Sequence, residues 1–172
     1  MIELCFNEHL RTIRSLAVDV SSSSEIILAH LLMAEMFDLK PKIIPTLDPP
    51  EEALMKADAV LLVGDRTTAV GNRTTKIDLV EEWYGITGLP YVHGFWAVDE
   101  ELFPKERAAA LIERGERGAK NLVPSEREEE RAIIQYNFDD NAIEGLNEFF
   151  RMAFYHGVLK DIPELKFFEV AG

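Results

Sequence analysis

An α/β domain built on a parallel sheet and followed by a helical tail is the fold this sequence predicts, and three observations predict it. Short apolar runs of strand length recur at Leu16 to Val20, Lys42 to Ile44 and Ala59 to Val63. Segments with apolar residues at helical spacing separate them. After Asp99 the strand signals stop and the chain becomes rich in Ala, Leu, Glu and Arg.

Taken in order, Leu16 to Val20 ends at four serines, and Glu25 to Phe37 follows with Ile26, Ile27, Leu31 and Ala34 on one helical face. This reads as strand, loop, helix. Lys42 to Ile44 is the second strand, Pro50 to Ala57 a short helix with proline in its first turn, and Ala59 to Val63 a continuous apolar third strand. Two β-α-β crossovers in a row imply a parallel sheet covered on both faces, with right-handed connections. Leu79 to Ile86 is amphipathic and meets Thr87-Gly88-Leu89-Pro90, where Gly and Pro stop a helix. The apolar run Tyr91 to Ala97 then reads as a fourth strand.

In the last third, Pro104 to Arg117, Ser125 to Gln135 and Asp139 to Tyr155 read as helices, the last two begun by Ser and Asp caps. Gly115 to Pro124 is the expected loop or hinge between them. Ile143, Leu146, Phe150, Ala153, Phe154 and Gly157 form one stripe that must be buried. The division expected is a ligand-binding α/β lobe over 1–98 and a helical region over 99–172 that packs on a second lobe or on a partner chain.

The bulk properties narrow the function classes. At 172 residues with 47% hydrophobic content, the chain suits one packed domain or one lobe plus part of another. A formal charge of −13 disfavours nonspecific binding to nucleic acid or an anionic membrane surface, although it leaves room for a local anion pocket. The single Cys5 cannot form an internal disulfide, no signal-peptide pattern opens the chain, and Ile26 to Phe37 is too short and too polar to span a bilayer. A cytoplasmic location is the expectation. Glycine-rich phosphate motifs, paired cysteines, His-x-x-x-His and a Gly-x-Ser-x-Gly elbow are all missing, so no metal or organic cofactor is expected.

Three places carry candidate chemistry. Ser21, Ser22, Ser23 and Ser24 stand where a strand meets a helix, so hydroxyls and unpaired N–H groups converge at the positive end of the helix dipole. That suits a carboxylate or phosphate, with ordinary capping as the alternative. Gly64, Asp65, Arg66, Thr67 and Thr68 follow the third strand at the same sheet edge, where open α/β folds bind ligands. There Arg66 could pair with a carboxylate, or Asp65 could simply cap a turn. Phe95 and Trp96 read first as core packing, and Gly94 with Trp96 as the alternative, a place where a planar ring could lie. His93 reads as a core or edge histidine, and Cys5 as a small buried hydrophobe.

These residues resemble a known family. Asp19-Val20-Ser21-Ser22-Ser23-Ser24, Leu62-Val63-Gly64-Asp65, Asp78 to Pro90 and Trp96-Ala97 resemble the MqnA group of the MqnA/MqnD family; Tyr136, Gly145-Leu146, Phe149-Phe150 and Gly157-Val158 are similar to its C-terminal helix region. The resemblance implies a type II periplasmic-binding-protein-like lobe working inside the cell. It also implies a chorismate dehydratase of the futalosine route to menaquinone, which removes water from chorismate to leave 3-[(1-carboxyvinyl)oxy]benzoate. The TGLP segment is similar in both branches, while Phe95-Trp96-Ala97 resembles MqnA more than MqnD, which makes 1,4-dihydroxy-6-naphthoate. Val80, Glu25 and His93-Gly94 depart from the pattern.

The resemblance corresponds to the later two-thirds or so of a usual member. The family's first segment, with an Asn implicated in catalysis, has no counterpart in it. The expected partners are therefore a small chorismate-like carboxylate and either a second copy of the chain or a protein that supplies the other lobe. A noncatalytic module for a small cyclic carboxylate is the alternative reading, and an incomplete protein that works only by assembly is a third.

Overall fold

The structure, a computed structural model, describes residues 1–7, 12–64, 74–99, 103–120 and 138–167. Its strands are β1 (Ile2–Asn7), β2 (Ser15–Val18), β3 (Lys42–Pro45), β4 (Ala59–Val63) and β5 (Thr74–Asp78), and its helices are α1 (Ser23–Phe37), α2 (Pro50–Leu54), α3 (Leu79–Thr87), α4 (Lys105–Lys120) and α5 (Asp140–Tyr155). The result is a mixed α/β fold around one five-stranded sheet, with a helical C-terminal stretch.

The sheet runs β3-β2-β4-β1-β5. β2 pairs in parallel with β3 and β4, as the two crossovers require, whereas β1 is antiparallel to both β4 and β5. The all-parallel expectation is therefore corrected. The first strand of the chain is inserted near the middle of the sheet, and its direction is opposite to that of the other four. Register fixes the insertion: Ile2 lies opposite Val63 on one side, and Glu3 opposite Asp78 on the other.

Strand alternation sorts the core into two layers. Leu4 of β1, Leu16 and Val18 of β2, and Ala59 and Leu61 of β4 join Leu28, Leu31 and Leu32 of α1, Leu79 and Trp83 of α3, and Met152 and Ala153 of α5. On the opposite face Cys5, Ala17, Val60 and Leu62 meet Ala53 and Ala57 at α2. The Cys5 thiol is fully buried, and burial foremost, with the Glu3 charge behind it, pushes its pKa up to about 11. It is an inert hydrophobe.

Helix ends follow from local chemistry. Asp78 ends β5 and caps α3, accepting from the Val80 and Glu81 N–H groups at 2.8 and 3.3 Å, while Gly88 closes α3 in the left-handed region at φ 70°. Asp139 caps α5 through the Ala142 N–H at 2.9 Å. α4 runs on through Gly115 and Gly118 to Lys120, so the hinge expected to begin at Gly115 does not begin there. An i,i+4 ion pair of Glu113 with Arg117 spans that glycine. The helix expected at Ser125 to Gln135, together with Tyr136, lies outside the described residues.

Tyr91 to Ala97 does not form a strand. No regular structure is present from Tyr91 to Asp99, and Phe95 and Trp96 are exposed, the latter by 94%. Core packing is thus overturned for both aromatics. The run has the composition of a buried strand, but it lacks a ladder partner among the described residues, and composition alone makes no hydrogen bonds. In the tail, α5 buries Ala142, Gly145, Leu146, Met152 and Ala153. Ile143 and Phe150 are half-buried, and Phe154 is exposed. His156 Nε2, just past its end, sits 2.7 Å from Glu35 Oε1 of α1.

Candidate functional site

β2 and β4 are neighbours running the same way, so their carboxyl ends open onto one edge of the sheet. From β2 the chain leaves through α1 toward β3 on one side. From β4 it leaves toward β5 on the other. A pair of adjacent strands whose connections diverge in this way forms the crevice where open α/β sheets bind ligands. The Asp19 to Ser24 turn lies on one flank of that crevice and Gly64 on the other. Because β1 is antiparallel, Met1 reaches the same edge, where its carbonyl accepts from the Gly64 N–H at 3.0 Å. Gly64 has φ 65°, and a Cβ there would meet nothing within 4 Å. Glycine serves the left-handed exit from β4, not a close approach.

The serines divide their work. Ser22 precedes α1 and its carbonyl accepts the first helical bond from Ile26 N–H at 3.0 Å, yet its hydroxyl makes no capping bond. Ser21 donates both N–H and Oγ to Asp19 Oδ1, at 3.0 and 2.8 Å. Ser24 Oγ donates to Glu25 Oε2 at 3.0 Å. Two of the four hydroxyls therefore serve the chain's own carboxylates. The N–H groups of the first helical turn have no partner inside the helix, as at any helix start.

The segment after α3 folds back over this edge. Tyr91 is 8% exposed and packs edge-on to Trp83, Phe149 and His93, with ring centroids 6.2, 5.9 and 5.0 Å apart. Burial, with the Glu25 charge behind it, pushes the Tyr91 phenol up to about 12, so it is a donor at any physiological pH. Ser24 lies close enough to temper that rise. Even so, Tyr91 Oη has no hydrogen bond of adequate geometry, and neither has Trp83 Nε1 beside it. Partial burial lowers the pKa of His93 and the amino group of Met1 adds to the effect, while the Glu25 and Asp78 charges pull the other way. The net shift favours the neutral imidazole, against the pull of those two carboxylates.

Ser21 to Ser24 and Gly64 are thus brought to one edge. Asp65, Arg66 and Thr67 lie outside the described residues. His93 is exposed, so it is an edge and not a core histidine; Gly94 and Trp96 after it are exposed too, and a Cβ on Gly94 would meet nothing within 4 Å, so neither packs against the described edge. Sequence reasoning missed Tyr91, Glu25 and Asp78. The available signal was that a tyrosine inside an apolar run carries one polar atom that needs a partner. A concavity of about 360 Å³ along Phe103, Arg107 and Leu111 lies on one side of α4 and shares no residue with the edge.

Among the described residues, no group of three His, Cys, Asp or Glu side chains is placed to hold a metal ion. Nor is any helix there long and apolar enough to cross a membrane. No curated protein matches the chain. A family model described as menaquinone biosynthesis matches residues 6–135, which spans β2 through α4 and takes in both strand exits and Tyr91. The chain belongs to the menaquinone biosynthesis family.

Proposed function

We propose that this protein is a chorismate dehydratase-like member of the family, acting on chorismate to give 3-[(1-carboxyvinyl)oxy]benzoate. The observation that carries the reading is the convergence of the Ser21 to Ser24 turn, Gly64 and the Tyr91 to His93 segment on one crevice. Free N–H groups at the start of α1 suit a carboxylate. Arg66, eight residues short of β5, would supply the positive charge that a dianion needs on so acidic a chain.

The sheet order supports the type II periplasmic-binding-protein-like reading. β1 begins at the ligand edge and runs away from it, which is how a strand delivered by a facing lobe enters a parallel sheet. Such a lobe would close over the edge and exclude water while a base takes the ring proton and hydroxide leaves. His93, whose lowered pKa favours the neutral imidazole, would serve as that base. We propose that a second copy or a partner chain supplies this cover.

The test is calorimetric titration with chorismate, followed by chromatography of the same sample. Binding with product is expected of the lyase. Binding without turnover would support the noncatalytic module for a cyclic carboxylate. No binding would refute both.

A further inference from the structure

We infer that His30, His156 and Glu35 form a proton-sensitive joint between α1 and α5, which holds the tail helix in place near neutral pH and loosens it on acidification. His156, at the end of α5, places Nε2 2.7 Å from Glu35 Oε1 of α1, and its ring stands edge-on to that of His30 of α1, with centroids 6.5 Å apart. One carboxylate thus serves a pair of imidazoles. A positive His156 has its counter-charge in Glu35. A positive His30 finds the reverse: the described charges that act on it are His156 of α5 and Lys40 just past α1, both positive, and none from α3 or the sheet offsets them. The joint accommodates one proton and resists two.

Both imidazoles are half-buried, so water screens their charges only in part. Burial first, and then those two cations, lower the pKa of His30. The neutral ring therefore belongs to the closed joint: its contribution is complete above about pH 6.5 and is lost as pH falls through the folded value. A small separation at this end has consequences further along. α5 is one unbroken helix from Asp140 to Tyr155, and about two turns before His156 its Phe149 packs edge-on to Trp83 and Tyr91, with centroids 6.1 and 5.9 Å apart. Pushing the His156 end away from α1 tilts the helix and draws Phe149 off the fully buried Trp83.

Trp83 reports the movement, since the other of the chain's two tryptophans, Trp96, is exposed and can be replaced. In the whole chain carrying Trp96→Phe, acrylamide quenching of Trp83 fluorescence is measured from about pH 8 to about pH 5, with far-UV circular dichroism on the same samples. The expected result is a quenching constant that rises about twofold or more as pH falls below about 6.5 and returns on neutralisation, while the helical signal is retained. Adding His30→Gln should hold the constant at its neutral value throughout. Adding Glu35→Gln, at a half-exposed position, should move the rise to higher pH, because even the first proton then lacks its counter-charge. Quenching that does not change with pH would overturn the inference, as would an equal rise with His30→Gln. Helical signal lost in step with the rise would also overturn it, since acid would then be unfolding the whole chain. Should His30→Gln not fold, Glu35→Gln decides: no shift, or a shift to lower pH, overturns the joint.

Discussion

Replacing Gly145 by alanine tests how the tail is seated on the lobe. Gly145 lies in the middle of α5, and a Cβ there would stand 2.2 Å from the Pro90 carbonyl oxygen and 3.3 Å from its carbon. A carbon and a carbonyl oxygen approach to about 3.3 Å at closest, so one backbone must withdraw by about 1 Å. Pro90 is poorly placed to yield. The turn before it is tied by Gly88 N–H to Tyr84 O at 2.8 Å, by Thr87 Oγ1 to Trp83 O at 2.7 Å and by Leu89 N–H to Thr87 Oγ1 at 3.1 Å. α5 must therefore lift, and a gap of that size forfeits a quarter to half of each dispersion contact along its buried face. Overpacking of this kind costs about 1–3 kcal/mol, and two immobile backbones place this case at the upper end. Alanine returns about 1 kcal/mol of helix propensity. The net loss is about 2 kcal/mol, or about 4–8 °C in Tm for a chain of this size. Gly85→Ala is the matched control: that glycine is exposed in α3 with nothing within 4 Å of its would-be Cβ. It should gain about 1 kcal/mol and melt about 2–4 °C higher. Thermal and urea melts of the two variants check this. If Gly145→Ala melts at or above the wild-type temperature, α5 is not seated on Pro90 and the contact is refuted.

Three further outcomes are expected. Asp58→Ala should cost about 1–2 kcal/mol in urea melts, because the carboxylate accepts from the Arg14 N–H, the Ser15 N–H and Ser15 Oγ at 2.8, 3.0 and 3.0 Å. The Arg14 N–H foremost lowers the pKa of Asp58, so this stability is present above about pH 4 and lost as pH falls through the folded value; the variant should have a flatter acid limb. His30 has a lowered pKa, through burial first and then the His156 and Lys40 charges, so its contribution is complete above about pH 6.5 and declines as pH falls through the folded value. His30→Gln should therefore lose less stability than wild type between about pH 6.5 and 5 in urea midpoints. Glu25→Gln should tighten chorismate binding several-fold in calorimetry, since two well-solvated carboxylates at about 4 Å repel by about 1 kcal/mol; weaker binding would contradict the placement of the ligand beside Glu25.

How much could be read in advance depended on whether the information was local. The helices α1, α3 and α5 were legible because an apolar stripe, a capping Asp or a closing Gly-Pro sits within each segment. β4 was legible as five apolar residues buried on both faces. The direction of a strand is not written in its own letters. In β1, Glu3 and Asn7 interrupt the apolar pattern, and only the ladders to β4 and β5 reveal a central strand running backwards. β5, with Thr74, Thr75 and Lys76, has the polar character of an edge strand and no apolar run to mark it. For the site, the shared edge of the Ser turn and Gly64 followed from strand order alone. The approach of Tyr91 and His93 to Glu25 depends on how the chain turns after Pro90, which no spacing encodes.

That turn also links the tail to the crevice. Gly145 presses on the Pro90 carbonyl, and Tyr91, the next residue, turns its ring against Phe149 of the same helix. Whatever moves α5 must move the wall of the site. His156 fixes the far end of the helix to Glu35 of α1, and α1 is the helix whose first turn faces Tyr91. The contacts therefore form a closed circuit: start of α1, Tyr91, α5, end of α1. A circuit of this kind is stiff, because a shift at one contact has to be accommodated at all the others. It explains how a helical tail more than a hundred residues beyond the Ser turn can hold the Tyr91 segment in register with it. It also makes Gly145→Ala more than a stability variant: a lifted α5 should release the Tyr91 ring along with the helix.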